Sequence, residues 1–208
     1  IFSLLVSAFA ISAGAQDIEK IKGFVYLQKF KDAKTELDKA MANAKFSAKP
    51  EAHILKSAIY LGLVGDKEFA AQSPQLFQDA LASFNKYKEL DKALTFVKEQ
   101  PYNTVPGTFY SNYYNEGIGF FNKKEWEAAY PKFISAIEMS DFMINNKLLA
   151  NFFDTSGLLL AGATAQNLKT KDAEAAGLFS RLADHRVGGA DNEFLHQFLA
   201  MHYLNNLV

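Results

Sequence analysis

The chain contains no cysteine. That rules out disulfides, thiolate nucleophiles, cysteine-ligated zinc and lipid attachment through a thiol. It carries no surplus of either charge, since 22 Lys and Arg face 23 Asp and Glu for a net −1 over 208 residues. A balance of that kind offers no basic stripe for a phosphate backbone and none for an anionic bilayer, so nucleic acid is not an expected partner. Five prolines and 12 glycines are too few for a fibrous or disordered chain. The one long apolar run is too short to span a membrane as a helix. What the chain does hold is apolar bulk: 49% hydrophobic residues, with 19 Phe and 9 Tyr beside a single Trp. That stock is ample for a core. In a helical protein so many rings imply thick helix–helix contacts and some exposed rings at a binding face.

The apolar run lies at the start. Residues Ile1 to Ile11 are uncharged, Ala13 and Ala15 form an A-x-A pair, and charge begins at Asp17. This looks like the hydrophobic region and cleavage site of a secretory signal peptide over residues 1–16; the alternative is a buried first helix. Under the signal reading the mature chain starts near Gln16 or Asp17 and is secreted or periplasmic. Lacking a cysteine at the cleavage site, it is soluble rather than a lipoprotein. No Met opens the sequence, which suggests a stretch within a longer reading frame.

From Asp17 to the end, one helical face recurs. Ala33-x3-Leu37-x2-Ala40 returns as Ala80-x3-Phe84-x2-Tyr87, as Ala129-x3-Phe133-x2-Ala136 and as Ala175-x3-Phe179-x2-Leu182. A small residue followed at +4 and +7 by larger apolar ones marks one side of a helix, and its return at near-constant spacing points to stacked repeats. The periodicity predicts helices beginning at about Ile18 and Phe30, then over Glu51–Val64, Pro74–Leu90, Thr108–Asn122, Trp126–Ser140, Leu148–Leu168, Lys171–His185 and Asn192–Leu207. Asp91 to Glu99 reads as an extension of the fourth of these or a short helix. Gln100 to Gly107 is the clearest break, read as a loop inside the array. Pro131 predicts a kink or a late helix start. The last helix is apolar on a wide face (Phe194, Leu195, Phe198, Leu199, Met201, Tyr203, Leu204) and has no helix after it to cover that face, which suggests a longer native chain.

Gly117, Phe120, Ala129, Phe133 and Ala136 have the spacing small-x2-aromatic-x8-Ala-x3-Phe-x2-Ala. This resembles the tetratricopeptide repeat, in which a small residue of the first helix lets the second pack closely. Phe24, Leu27, Phe30, Ala33, Leu37 and Ala40 follow the pattern in a first unit, and Ser57, Tyr60, Leu63, Ala80 and Phe84 in a second with a long turn. The fourth unit aligns after a shift of one or two residues. The usual period is 34 residues, and here the leading alanines are 46 to 49 apart. The general style is similar to exported repeat proteins of Gram-negative bacteria such as the Bacteroidetes. The resemblance implies an all-α, right-handed solenoid of antiparallel helical hairpins over residues 17–208. It also implies a concave surface lined by the first helix of each unit. On that basis the partner-binding places are Val25 and Tyr26 in unit one, near Ile18 and Lys22, and Ser111, Tyr114, Ile118, Phe121 and Asn122 in unit three. Rings and amides of this kind suit an extended peptide or a partner helix.

The usual catalytic patterns are missing. His196 and His202 are six apart on one predicted helix and point to different faces, unlike a metal-binding i, i+4 pair. Gly188-Gly189 and Gly62-x2-Gly65 lack the strand and lysine of a phosphate loop. Ser156-Gly157 lies in a helical run rather than in a nucleophile elbow. Glu125, Glu127 and Glu138 look like solvated helix charges, with nothing to pair two of them for acid–base work. The sequence therefore points to a non-catalytic protein- or peptide-binding scaffold of the periplasm or cell envelope. It needs no cofactor or metal, and its mature chain has no stable membrane span. The competing readings are a glycan- or ligand-capture module of an outer-membrane uptake system, and a repeat domain attached to a catalytic domain outside this stretch.

Overall fold

The computed structural model describes residues 17–150 and 152–206. Among these, every regular element is a helix and no strand occurs. Residues 1–16, read from the sequence as a signal peptide, lie outside the described residues. The chain divides into two compact units, up to Val105 and from Pro106, at the break that Pro101, Pro106 and Gly107 mark in the sequence.

In the first unit, α1 covers 17–26, α2 Phe30–Met41, α3 Ala44–Ser47, α4 Pro50–Leu63 and α5 Ser73–Leu90. Single 3-10 turns cover Lys67–Phe69, Phe96–Lys98 and Tyr102–Thr104. The central helix is α4, which packs on both α2 and α5. Its composition explains the position: Ala52, Ile54, Leu55, Ile59, Tyr60, Leu61 and Leu63 are all buried, so apolar side chains leave it on several sides. Pro50 opens it, where the missing N–H costs nothing. Gly62 lets the ring of Phe30 lie against the helix; a Cβ there would stand 2.4 Å from Phe30 Cδ1.

Asp91 organises the end of this unit. Its Oδ2 accepts from the Thr95 amide at 2.7 Å and from the Tyr87 hydroxyl at 3.1 Å. Tyr87 in turn accepts from the Val97 amide at 3.0 Å, so the turn after α5 is pinned by two buried side chains. Tyr102, fully buried, donates to Glu51 Oε1 at 2.9 Å.

The second unit contains α6 Val105–Asn122, α7 Trp126–Asn145, α8 Thr155–Asn167, α9 Asp172–Asp184 and α10 Glu193–Asn205, with a 3-10 turn at Ala190–Asn192 before the last. Contacts run between neighbours, α7 with α8, α8 with α9 and α9 with α10. Rings join α6 to α7: Phe133 meets Tyr114 and Phe121 edge-on at 6.0 and 6.1 Å. One continuous apolar cluster holds Phe133, Ile137, Leu158, Ala161, Phe179, Leu182, Leu195 and Leu199.

The recurrent face is interior. Ala33, Ala80, Ala129 and Ala175 are wholly buried, as are Leu37, Phe84, Phe133 and Phe179. At the third position Tyr87, Ala136 and Leu182 are buried and Ala40 keeps some exposure.

Several boundaries differ from the sequence reading. α6 begins at Val105 rather than Thr108, with Pro106 in its first turn. α7 runs on to Asn145, and α8 starts at Thr155 rather than at Leu148. The reason is Asp154: its Oδ1 accepts from the Gly157 amide at 2.8 Å and caps α8 there, while the Tyr110 hydroxyl holds the same oxygen at 3.0 Å. Pro131 lies inside α7 without delaying its start. Both Pro131 and Glu127, whose carbonyl loses its helical donor, are exposed, so water can replace the bond.

The tight turns close without glycine. Gln28, Lys124, Lys147 and Arg186 all take left-handed backbone angles, with φ between 55° and 60°. The following amide reaches back into the last helical turn, as Glu125 N–H does to Phe120 O at 3.0 Å and Leu148 N–H to Met143 O at 2.8 Å. That double return is the Schellman arrangement, and it reverses the chain within three residues.

Candidate binding groove

One recess of the second unit is a groove of about 840 Å³. One wall is the end of α8 and the start of α9, with Gln166, Lys169, Asp172 and Glu174; the other is a side of α10, with Phe194, Gln197, Met201 and Asn205. The groove follows from unequal burial along two helices. α9 turns Ala175, Ala176, Leu178, Phe179 and Leu182 inward, leaving its first three residues in solvent. α10 buries only Leu195 and Leu199 among its described side chains. Phe194 is 41% and Met201 64% exposed, so a broad apolar strip borders the recess.

Rings form its floor. Phe179 receives Phe194 and Phe198 edge-on at 5.7 and 5.4 Å, and Phe198 stacks with His202 at 6.0 Å. Amides and charges form the rim. Lys171 binds Glu174 at 2.9 Å, and this hydrogen bond holds the Glu174 carboxyl below the usual carboxylate range. Lys171 also stands over the Tyr130 ring at 4.8 Å. The arrangement offers apolar area beside amide donors and acceptors, which suits a peptide backbone with apolar side chains.

At the other end of α9, beside the end of α7, a smaller recess of about 290 Å³ collects Asp141, Phe152, Phe153, Arg181, Asp184 and His185. Arg181 pairs with Asp141 at 2.5 Å, and His185 stacks flat on Phe153 at 3.7 Å. His185 is the C-cap of α9, as a helix-end histidine should be. The remaining histidines act locally: His53 donates to the Ser47 carbonyl at 2.9 Å and His196 to that of Val187 at 3.1 Å. Burial pushes the His53 pKa down. Among the described residues no three His, Asp or Glu side chains gather as a metal set.

The residues singled out from sequence fall in two separate places. In the first unit Val25 is buried and Tyr26 is 54% exposed, its hydroxyl donating to the Gln100 carbonyl at 2.9 Å. In the second unit Ser111 and Asn122 are exposed on α6, while Tyr114, Ile118 and Phe121 are half-buried against the core cluster. Tyr114 stacks on Tyr110 at 5.6 Å and Phe121 meets Trp126 edge-on at 5.1 Å, so both rings spend much of their area on packing. The groove residues of α8 and α9 gave no signal, since polar side chains at helix ends look alike wherever they point. Those of α10 gave one: the width of its apolar face exceeded what a single neighbour covers.

Among the described residues no helix is long and apolar enough to cross a membrane. Comparison with protein families, curated proteins and solved structures finds no match.

Proposed function

We propose that this chain is a non-catalytic scaffold that binds a protein or peptide, and that the groove between α8, α9 and α10 receives it. The observation that carries the reading is the groove itself, about 840 Å³ with exposed Phe194 and Met201 set among Gln166, Gln197 and Asn205. Aromatic and thioether side chains supply adaptable contact area, and amides hold a backbone in register. The proposal includes a right-handed solenoid of antiparallel hairpins similar to tetratricopeptide repeats. Two features support that part. The small-x3-large face is interior in all four segments. Gly117 and Gly162 each seat a ring of the following helix, Phe133 and Phe179. Export to the periplasm or cell envelope, with residues 1–16 as a signal, completes the reading.

The test is selection of binders from a displayed random-peptide library on the immobilised chain, with a glycan array run beside it. Selected peptides should bind the wild type and lose affinity for Met201→Glu, a change at an exposed site that leaves the fold intact. Peptides that bind both equally, or saturable binding of glycans alone, would overturn the assignment.

A further inference from the structure

The recess at the C-terminal end of α9 has a chemistry that the groove lacks. Three stretches of chain enclose it. Asp141, Ile144 and Asn145 come from the end of α7, Arg181, Asp184 and His185 from the end of α9, and Phe152 and Phe153 from just before α8. On both helices the spacing is i, i+3, i+4, so each set lies on one helical face. The Arg181–Asp141 pair, at 2.5 Å, spans α7 and α9 and fixes these two walls relative to each other.

The electrostatics favour a cation. Arg181 is already engaged by Asp141, whereas Asp184 makes no ion pair among the described residues and is exposed. α7 and α9 both end at the recess, and the C-terminal end of a helix carries partial negative charge. Lys147 and Arg186 follow the two helices, but neither lines the recess. The third wall is aromatic. Phe153 is covered by His185, which stacks on it at 3.7 Å, while Phe152 is 40% exposed. An open ring beside an unpaired carboxylate suits an ammonium group: the ring face attracts the cation and the carboxylate accepts its N–H. A volume of about 290 Å³ lies at the lower end of ligand pockets and takes a group of side-chain size.

We infer that this recess binds a primary ammonium group carried on an apolar body, supplied by a small arylalkyl amine or by a lysine side chain. The ammonium lies against Asp184, and the apolar body packs on Phe152 and Ile144. The site is separate from the groove and does not depend on what the groove holds.

The probe is phenethylamine, titrated into the isotope-labelled full chain and followed by amide NMR shifts. The shifts should saturate and centre on residues 141–145, 152–153 and 181–185. Asp184→Asn, at an exposed position, should weaken binding by roughly two- to fivefold, the equivalent of one accessible ion pair. Phe152→Ala, also exposed, should weaken it by about as much. Phenethyl alcohol, which has the same body without the charge, should bind roughly tenfold more weakly, since it loses the carboxylate, ring and helix-end terms together. A blocked alanine–lysine–alanine peptide separates the two sources: shifts at the same amides support a lysine side chain, and shifts with phenethylamine alone support a small amine. Absence of saturation, saturation centred elsewhere, equal binding of the alcohol, or unchanged affinity in Asp184→Asn overturns the proposal.

Discussion

Gly117 and Gly119 are two residues apart in the interior of α6, yet replacing each by alanine should have opposite effects. Both variants gain the same helix propensity, about 0.8–1.0 kcal/mol. At Gly119 no atom lies within 4 Å of the new methyl, so that gain is realised. At Gly117 the methyl would stand 2.7 and 2.8 Å from two carbons of Phe133. Non-bonded carbons rest at about 3.5–4.0 Å, so the ring or the helix must give way by close to 1 Å. Phe133 cannot yield cheaply. It is fully buried, with Tyr114 and Phe121 edge-on against it. Overpacking a fixed core position costs about 1–3 kcal/mol. Because the propensity gain is common to both variants, that cost is also the expected stability gap between them. With a urea slope of about 1–3 kcal/mol/M, the midpoints should separate by roughly 1 M at unchanged slope. The lone Trp126 stands 5.1 Å from Phe121 and reports on the α6–α7 contact by its fluorescence. A midpoint for Gly117→Ala equal to or above that of Gly119→Ala would show that Phe133 does not rest on Gly117.

Alkaline titration should weaken the first unit. Burial, helped by the Asp38 carboxylate, raises the Tyr60 phenol to about 12, and burial pushes Tyr87 and Tyr102 up as well. Their neutral forms are favoured on folding, so this contribution is complete below the unfolded value of about 10 and lost as pH rises through the folded values. Circular dichroism should show helix loss coinciding with late phenolate absorbance; normal titration near 10 for all tyrosines would refute it. Lys124→Gly should stabilise by up to about 1 kcal/mol, because Lys124 holds φ at 60° where glycine is free of strain. Thermal melting checks this, and a lower midpoint would mean that the Lys124 side chain contributes more than its backbone costs.

Much of the helical order was legible in the sequence. The small-x3-large stripe named twelve positions, and all but Ala40 of these are buried. Helix interiors are local: the period of apolar residues follows from 3.6 residues per turn whatever lies beyond. Boundaries were less legible where a distant side chain decides them. The start of α8 depends on Asp154, which Tyr110 holds from 44 positions away. The ends at Lys124, Lys147 and Arg186 carry no glycine, so no residue type announces a left-handed turn there. The groove was legible only in part. The excess apolar width of α10 was visible; the polar wall facing it was not.

By itself the sequence determined that the described residues are helical, which faces of four segments go inside, and that without cysteine no disulfide framework holds them. Tertiary structure decided which glycines receive rings, where the chain divides into two units, and which apolar side chains remain in solvent. The difference has one physical cause. Helix formation and amphipathicity are set by near neighbours along the chain, whereas a seat such as Gly117 beneath Phe133, or an exposed strip such as Phe194 and Met201, exists only once separate helices have taken their places.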